Sequence, residues 1–296
     1  MRKDSRKLKK AHDAFNKGGI EKARKMLLEL RETTHDDRLK VDVDLALIPC
    51  LNQVDDHGLI LEITAEGFIL AEKFNLSDAQ AFFCSKKAVT LLQKQPMVIH
   101  RMKSIKLHTE WFEFATERER DEYKRLEVGL ETITKEADVL LGKARQLASR
   151  NPDVQYQIIF EEAQARNQIL DAFFLVHQKP NKLMLKWRRW AMSHRHRSEI
   201  KKQLNEIKKL YILAAQKLYE GGDETGFAYC YFNLALAYRG FWKFRLANYY
   251  LNKARDVATR YKIKNILRKI IEVREDIRLK KVSGEDVVYR DFLNGI

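Results

Sequence analysis

The sequence predicts an all-α protein made of stacked antiparallel helical hairpins. Three observations lead there. Only 4 Pro and 12 Gly interrupt 296 residues, so little in the chain breaks a helix. Apolar residues return at three-and-four spacing in one segment after another. No run of alternating apolar and polar residues survives beside that pattern, so strand signals are almost absent.

The first hairpin is a helix over 3–17, the stop Gly18-Gly19, and a helix over 20–32. Ala11 and Ala14 on its first helix precede Ala23, Leu27 and Leu30 on its second. A helix over about 38–53 follows, with Pro49 as a late irregularity, and then the turn Asp55-Asp56-His57-Gly58. The helix over 59–74 carries Ile60, Ile63, Gly67, Leu70 and Ala71 on one side. Ser77 is placed to cap a helix over 78–95, because its hydroxyl can accept from an unpaired backbone N–H. Pro96 is expected to begin another helix, over about 97–117, that bears Trp111 and Phe112.

A dense charge run from Glu117 to Glu122 then opens a long amphipathic helix over 118–150. Asn151-Pro152-Asp153 is the clearest break in the chain. It divides an N-terminal helical-hairpin region, 1–150, from a C-terminal helical region, 151–296. The helix over 154–178 ends before Pro180, whose ring disfavours helix in the residue before it. Residues 182–220 form one long helix or two broken ones, closed by Gly221-Gly222. Helices over 224–239 and 243–260 make the last full hairpin, and a basic helix over 262–281 follows.

Charged residues are 33% and apolar ones 45% of the chain, the balance of a folded, very soluble protein. Cys50, Cys84 and Cys230 are far apart and sit within apolar runs. That scatter argues against a disulfide framework or a zinc site and fits a reducing compartment. No cofactor or metal is expected. The basic start has no apolar run behind it, and no apolar stretch approaches the roughly 18 residues of a membrane span. The expected address is the cytoplasm, with no membrane partner.

The formal net charge of +15 is unevenly spread. Residues 41–72 hold Asp42, Asp44, Asp55, Asp56, Glu62, Glu66 and Glu72 and no Lys or Arg. Residues 186–217 hold ten Lys or Arg against Glu199 and Glu206. Such lopsidedness permits an acidic partner, and also self-association of the acidic segment with the basic one.

The hairpin over 224–260 has the sharpest pattern. Tyr231, Leu234, Ala235 and Tyr238 lie on one face of its first helix, and Ala247, Leu251 and Ala254 on one face of its second. Alanines at a helix crossing let the backbones approach closely. The run Tyr231-x2-Leu234-Ala235-x2-Tyr238, then Ala247-x3-Leu251-x2-Ala254, resembles the tetratricopeptide repeat. Trp242 stands where a turn glycine is usual, and no proline ends the unit near Thr259. The resemblance implies an α-solenoid whose first helices line a concave groove that accepts a partner protein or peptide. On that groove it places Tyr229, Phe232, Asn233, Leu236 and Arg239, with the Asn233 amide holding a partner's backbone. The implied function is a non-enzymatic scaffold or regulator.

An alternative comes from Lys186-Trp187-Arg188-Arg189-Trp190 and its continuation through Lys209. Arg188, Arg195 and Lys202 recur every seven residues, with Lys201 and Lys208 alongside. A cationic ridge with interleaved aromatics suits the phosphates and unpaired bases of RNA or DNA.

Enzyme readings fare worse, for the chain has no phosphate-cradling Gly-rich loop, no nucleophile elbow and no Cys cluster. A lone Glu32-x-x-His35 cannot make a di-iron bundle, which needs that motif on two helices. Arg189-x4-His194, also readable as Arg189-x6-His196, resembles the Arg-x4-6-His element of all-helical HEPN ribonucleases. That likeness implies a His acid or base beside a phosphate-binding Arg, although Trp190 stands where a polar residue usually follows the Arg.

Overall fold

A computed structural model describes the backbone of residues 2–109, 116–177, 186–241 and 243–282; side chains are described there except at 2, 3, 103, 106–109, 171, 173–177, 186–199 and 280–282. Among the described residues the chain is all-α, with eleven helices and no strand. They are α1 (Arg2–Asn16), α2 (Ile20–Thr33), α3 (Asp37–Asn52), α4 (His57–Lys73), α5 (Ser77–Thr109), α6 (Glu117–Leu147), α7 (Pro152–His177), α8 (Lys186–Gly221), α9 (Glu224–Gly240), α10 (Phe244–Arg260) and α11 (Lys264–Val282).

The chain divides into two compact units. Unit 1 comprises Met1–Leu92 and Glu131–Ile158, and unit 2 comprises Gln93–Leu130 and Ile159–Ile296. In unit 1, α1 packs on α2, α2 on α3 and α3 on α4. In unit 2, α8 packs on α9, α9 on α10 and α10 on α11. A helix also reaches its second neighbour, α1 to α3 and α9 to α11. That is the contact pattern of consecutive hairpins stacked one on the next.

The connections follow from local chemistry. Gly18 and Gly222 end α1 and α8 at φ of 80° and 76°, a region that glycine enters without a Cβ penalty. Asp36 caps α3 by accepting from the N–H groups of Arg38 and Leu39, and Asp56 caps α4 by accepting from Leu59. Pro49 lies inside α3, which continues to Asn52.

Pro96 does not begin a helix. It lies inside α5, a single helix of 33 residues that starts at Ser77 itself rather than after a Ser77 cap. An interior proline costs roughly 3 kcal/mol. Leu92 and Ile99, on either side of it, are both buried, and burial of that kind offsets the cost. The expected helix over 97–117 is therefore the second half of α5, while Trp111 and Phe112 lie outside the described residues. Of the two choices at 182–220, the described residues form one helix, α8, and α6 likewise runs unbroken from Glu117 to Leu147.

The core of unit 1 is aliphatic, built on Leu27, Leu30, Leu47, Ile48, Leu51, Ile60 and Ile63. At one place α4 and α5 approach so closely that only glycine fits. A Cβ on Gly67 would stand 2.6 Å from the buried Phe83 ring. Beside this core lies an ion network. Arg31 Nε donates to Asp44 Oδ1 at 2.7 Å, and the same guanidinium donates to Glu66. Lys40 approaches Glu66 at 3.8 Å, and Arg24 pairs with Asp56 at 3.5 Å.

Candidate functional site

The surface with the most functional promise is built on α9. Asp223 fixes where that helix begins, its Oδ1 accepting from the Gly226 N–H at 2.9 Å. Because α8, α10 and α11 all pack on it, α9 buries residues on most of its circumference, including Ala228, Cys230, Leu234, Ala235 and Tyr238. Facing it, α10 buries Ala247, Leu251 and Ala254. The alanines at this crossing are fully enclosed, which lets the two backbones lie close.

Tyr229, Asn233, Leu236 and Arg239 remain half-buried. At 100° per residue they form one stripe along α9. Phe232 does not join them. Its side chain is 5% exposed and belongs to the core, although its position on the helix falls between those of Leu236 and Arg239.

Helix α11 flanks the stripe and charges it. Lys269 Nζ lies 5.4 Å from the centre of the Tyr229 ring, and Arg239 Nη1 pairs with Asp276 at 3.5 Å. Asn233 stands between these two contacts, and among the described residues no group bonds its carboxamide. The stripe therefore offers an aromatic face, an amide with donors and an acceptor available, an aliphatic side chain and an anchored guanidinium. Lys269 and Asp276 escaped the sequence reading because they belong to the next helix. A helix one step beyond the hairpin was the available signal.

Of the predicted basic ridge, Lys201 and Lys202 are exposed and Lys208 is half-buried. Lys202 lies across α8 from its buried residues Ile200, Leu204, Ile207 and Tyr211, and Lys201 and Lys208 lie about a quarter turn from them. Lys186, Arg188, Arg189 and Arg195 fall within α8, but their side chains lie outside the described residues. So do those of Trp187, Trp190, His194 and His196, which carried the base-stacking and ribonuclease readings.

The acidic segment is less open than its composition suggests. Asp44 is fully buried, and Asp44, Asp56 and Glu66 are all engaged by basic residues of α2 and α3. Asp55, Glu62 and Glu72 remain exposed.

The three cysteines are buried and free, and burial pushes the Cys230 thiol up to about 12. Among the described residues no group of three or more His, Cys, Asp or Glu could hold a metal ion. Among them, too, no helix is long and apolar enough to cross a membrane. No protein-family model matches the sequence, and no curated protein matches it.

Proposed function

We propose that the protein is a cytoplasmic, non-enzymatic interaction module of tetratricopeptide type that holds a partner protein or peptide along the α9 stripe. The observation that carries this reading is Asn233. A half-buried carboxamide with no bond to the described residues stands between a cation-backed tyrosine and a salt-bridged arginine. An amide in that position can accept from and donate to one peptide unit of an extended segment, which would hold a backbone without reading its side chains. Tyr229 and Leu236 add apolar contact, and Arg239, already oriented by Asp276, can turn toward a carboxylate or terminal group at little further entropic cost.

The test uses a photo-crosslinking amino acid at Glu272, exposed on α11 between Lys269 and Asp276, with a second version at Glu62 of α4 as the control site. A partner that crosslinks at 272 and not at 62, and is lost when Leu236→Ala and Arg239→Glu are added, supports the stripe. A partner whose crosslinking is unchanged by those two substitutions removes it.

A further inference from the structure

Unit 2 carries a second surface that the α9 stripe does not use. Five aromatic rings run in contact across three helices. Tyr219, near the end of α8, lies 5.4 Å from Phe227 of α9, and Phe227 lies 5.1 Å from Tyr231. Tyr231 then meets Tyr250 of α10 at 6.3 Å, nearly parallel, and Tyr250 meets Tyr249 at 5.0 Å. A cluster of this size ordinarily closes into a core. Here Tyr219 is 65% exposed and Tyr249 50%. Lys253 stands over the strip, its Nζ 5.4 Å from the Tyr231 ring centre and 5.0 Å from that of Tyr249.

The charges nearby point the same way. Lys201 is exposed on the side of α8 that also carries Tyr219, and Lys202 and Lys209 are exposed about a quarter turn round from it. At the start of α10, Lys243 is held below its usual pKa, mainly by burial and further by repulsion from Lys201. Among the described residues no acid pairs with Lys201, Lys243 or Lys253. Like charges brought together in this way are unfavourable for the chain alone and are relieved by an anion.

We propose that this face binds single-stranded nucleic acid, with phosphates on the lysines of α8 and α10 and unpaired bases on the exposed tyrosines. The rings decide against a duplex, whose base faces are already stacked, and against an acidic peptide, which would satisfy the lysines but gain little from ring faces. From Lys201 to Tyr219 the helix rises about 27 Å, enough for a strand within the range of about 4–16 nucleotides that one stacking domain covers.

The full chain, freed of co-purifying nucleic acid, is titrated against a fluorescein-labelled oligouridine of about twelve nucleotides, with anisotropy read at about 50 and 200 mM salt. Affinity is expected to fall as salt rises. Tyr219→Ala with Tyr249→Ala should weaken it about tenfold or more, while Phe at both positions keeps it. Leu at both positions preserves bulk without a stacking face, and should fail as Ala does even if the alanine pair disturbs folding. Lys201→Gln with Lys253→Gln should lower the salt slope by about 1.4. No binding at the lower salt overturns the proposal. So does equal binding by the Leu pair, or equal binding of an RNA duplex or of polyglutamate, either of which would make the face a general cation patch.

Discussion

Arg31 in the last turn of α2 and Lys201 well inside α8 are both basic residues on helices, and the fold treats them in opposite ways. Arg31 is 14% exposed and ties two carboxylates from α3 and α4 to α2. Lys201 is exposed, pairs with no acid among the described residues, and faces another lysine. At Arg31, charge is structural, drawn inward and neutralised between helices. At Lys201 on α8, charge stays outside, in the unit whose aromatic strip also remains partly uncovered. A difference in how the same chemistry is used separates a surface the fold needs from one it does not.

The largest expected effect tests the inward half of that contrast. Arg31→Ala leaves Asp44 buried at 0% exposure without its cation, and stability at neutral pH should fall by about 3–5 kcal/mol. Urea unfolding followed by circular dichroism measures it. Arg31→Met combined with Asp44→Leu should recover most of the loss, because no charge is then left buried. The pH dependence checks the same site. Burial outweighs the Arg31 charge and hydrogen bond and pushes Asp44 from its ordinary 3.8 up to about 6. A raised pKa means that the native state binds more protons than the unfolded chain between those values. This contribution is therefore complete at the acid end and is lost as pH rises through about 6. The urea midpoint of the wild type, measured against that of Asp44→Asn, should accordingly decline across this window. A flat difference would show that Asp44 stays ionised throughout.

Packing gives the next effect. Gly67→Ala would ordinarily favour a helix by about 1 kcal/mol. Here the new methyl meets the Phe83 ring at 2.6 Å, and that ring is fully buried. A net loss of about 1–3 kcal/mol is expected by thermal unfolding. Gly142→Ala, where the methyl meets nothing within 4 Å, should gain stability instead.

These sites also mark what could be read in advance. Helix identity was legible nearly everywhere, because Gly18-Gly19 and Gly221-Gly222 punctuate a three-and-four pattern that no strand pattern rivals. The Ala235–Ala247 crossing was legible too, since small residues at that spacing have few other uses. Pro96 misled, because local helix breaking is outweighed by burial on both sides of it, and burial is a tertiary property. The acidic stretch 41–72 is less open than its composition suggests for a related reason. Its neutralising partners Arg24, Arg31 and Lys40 lie outside the window in which the charges were counted. Phe232 was placed on the stripe by the repeat resemblance, while Lys269 and Asp276, which shape the stripe, sit on a helix that the hairpin pattern does not include. The Tyr249-Tyr250 pair held an unused clue. Neighbours on a helix point about 100° apart, so two aromatics in a row cannot both face one core.

A smaller effect concerns how α9 is held in place. Asp223→Ala removes the acceptor for the Gly226 N–H and should cost about 1 kcal/mol. Asp223→Asn keeps an acceptor and should cost less. Either change in the urea midpoint would be accompanied by weaker partner crosslinking at Glu272 only if the start of α9 frays as far as the stripe, which places the two readouts on separate scales.

The smallest expected effect is the one that completes the contrast. Lys201→Gln, Lys202→Gln and Lys209→Gln together remove three positive charges from the outer face of α8. If those lysines served the fold, losing them would lower the unfolding midpoint as Arg31→Ala does. They have no acid to leave stranded and no buried carboxylate behind them, so stability should change by less than about 0.5 kcal/mol per site. Its sign should be favourable, because the repulsion between Lys201 and Lys243 is relieved. A loss of several kcal/mol would place these lysines in the same class as Arg31 and erase the distinction between the units. A neutral or slightly stabilised protein would mean that the chain carries this charge against its own stability, which is the behaviour of a surface kept for binding.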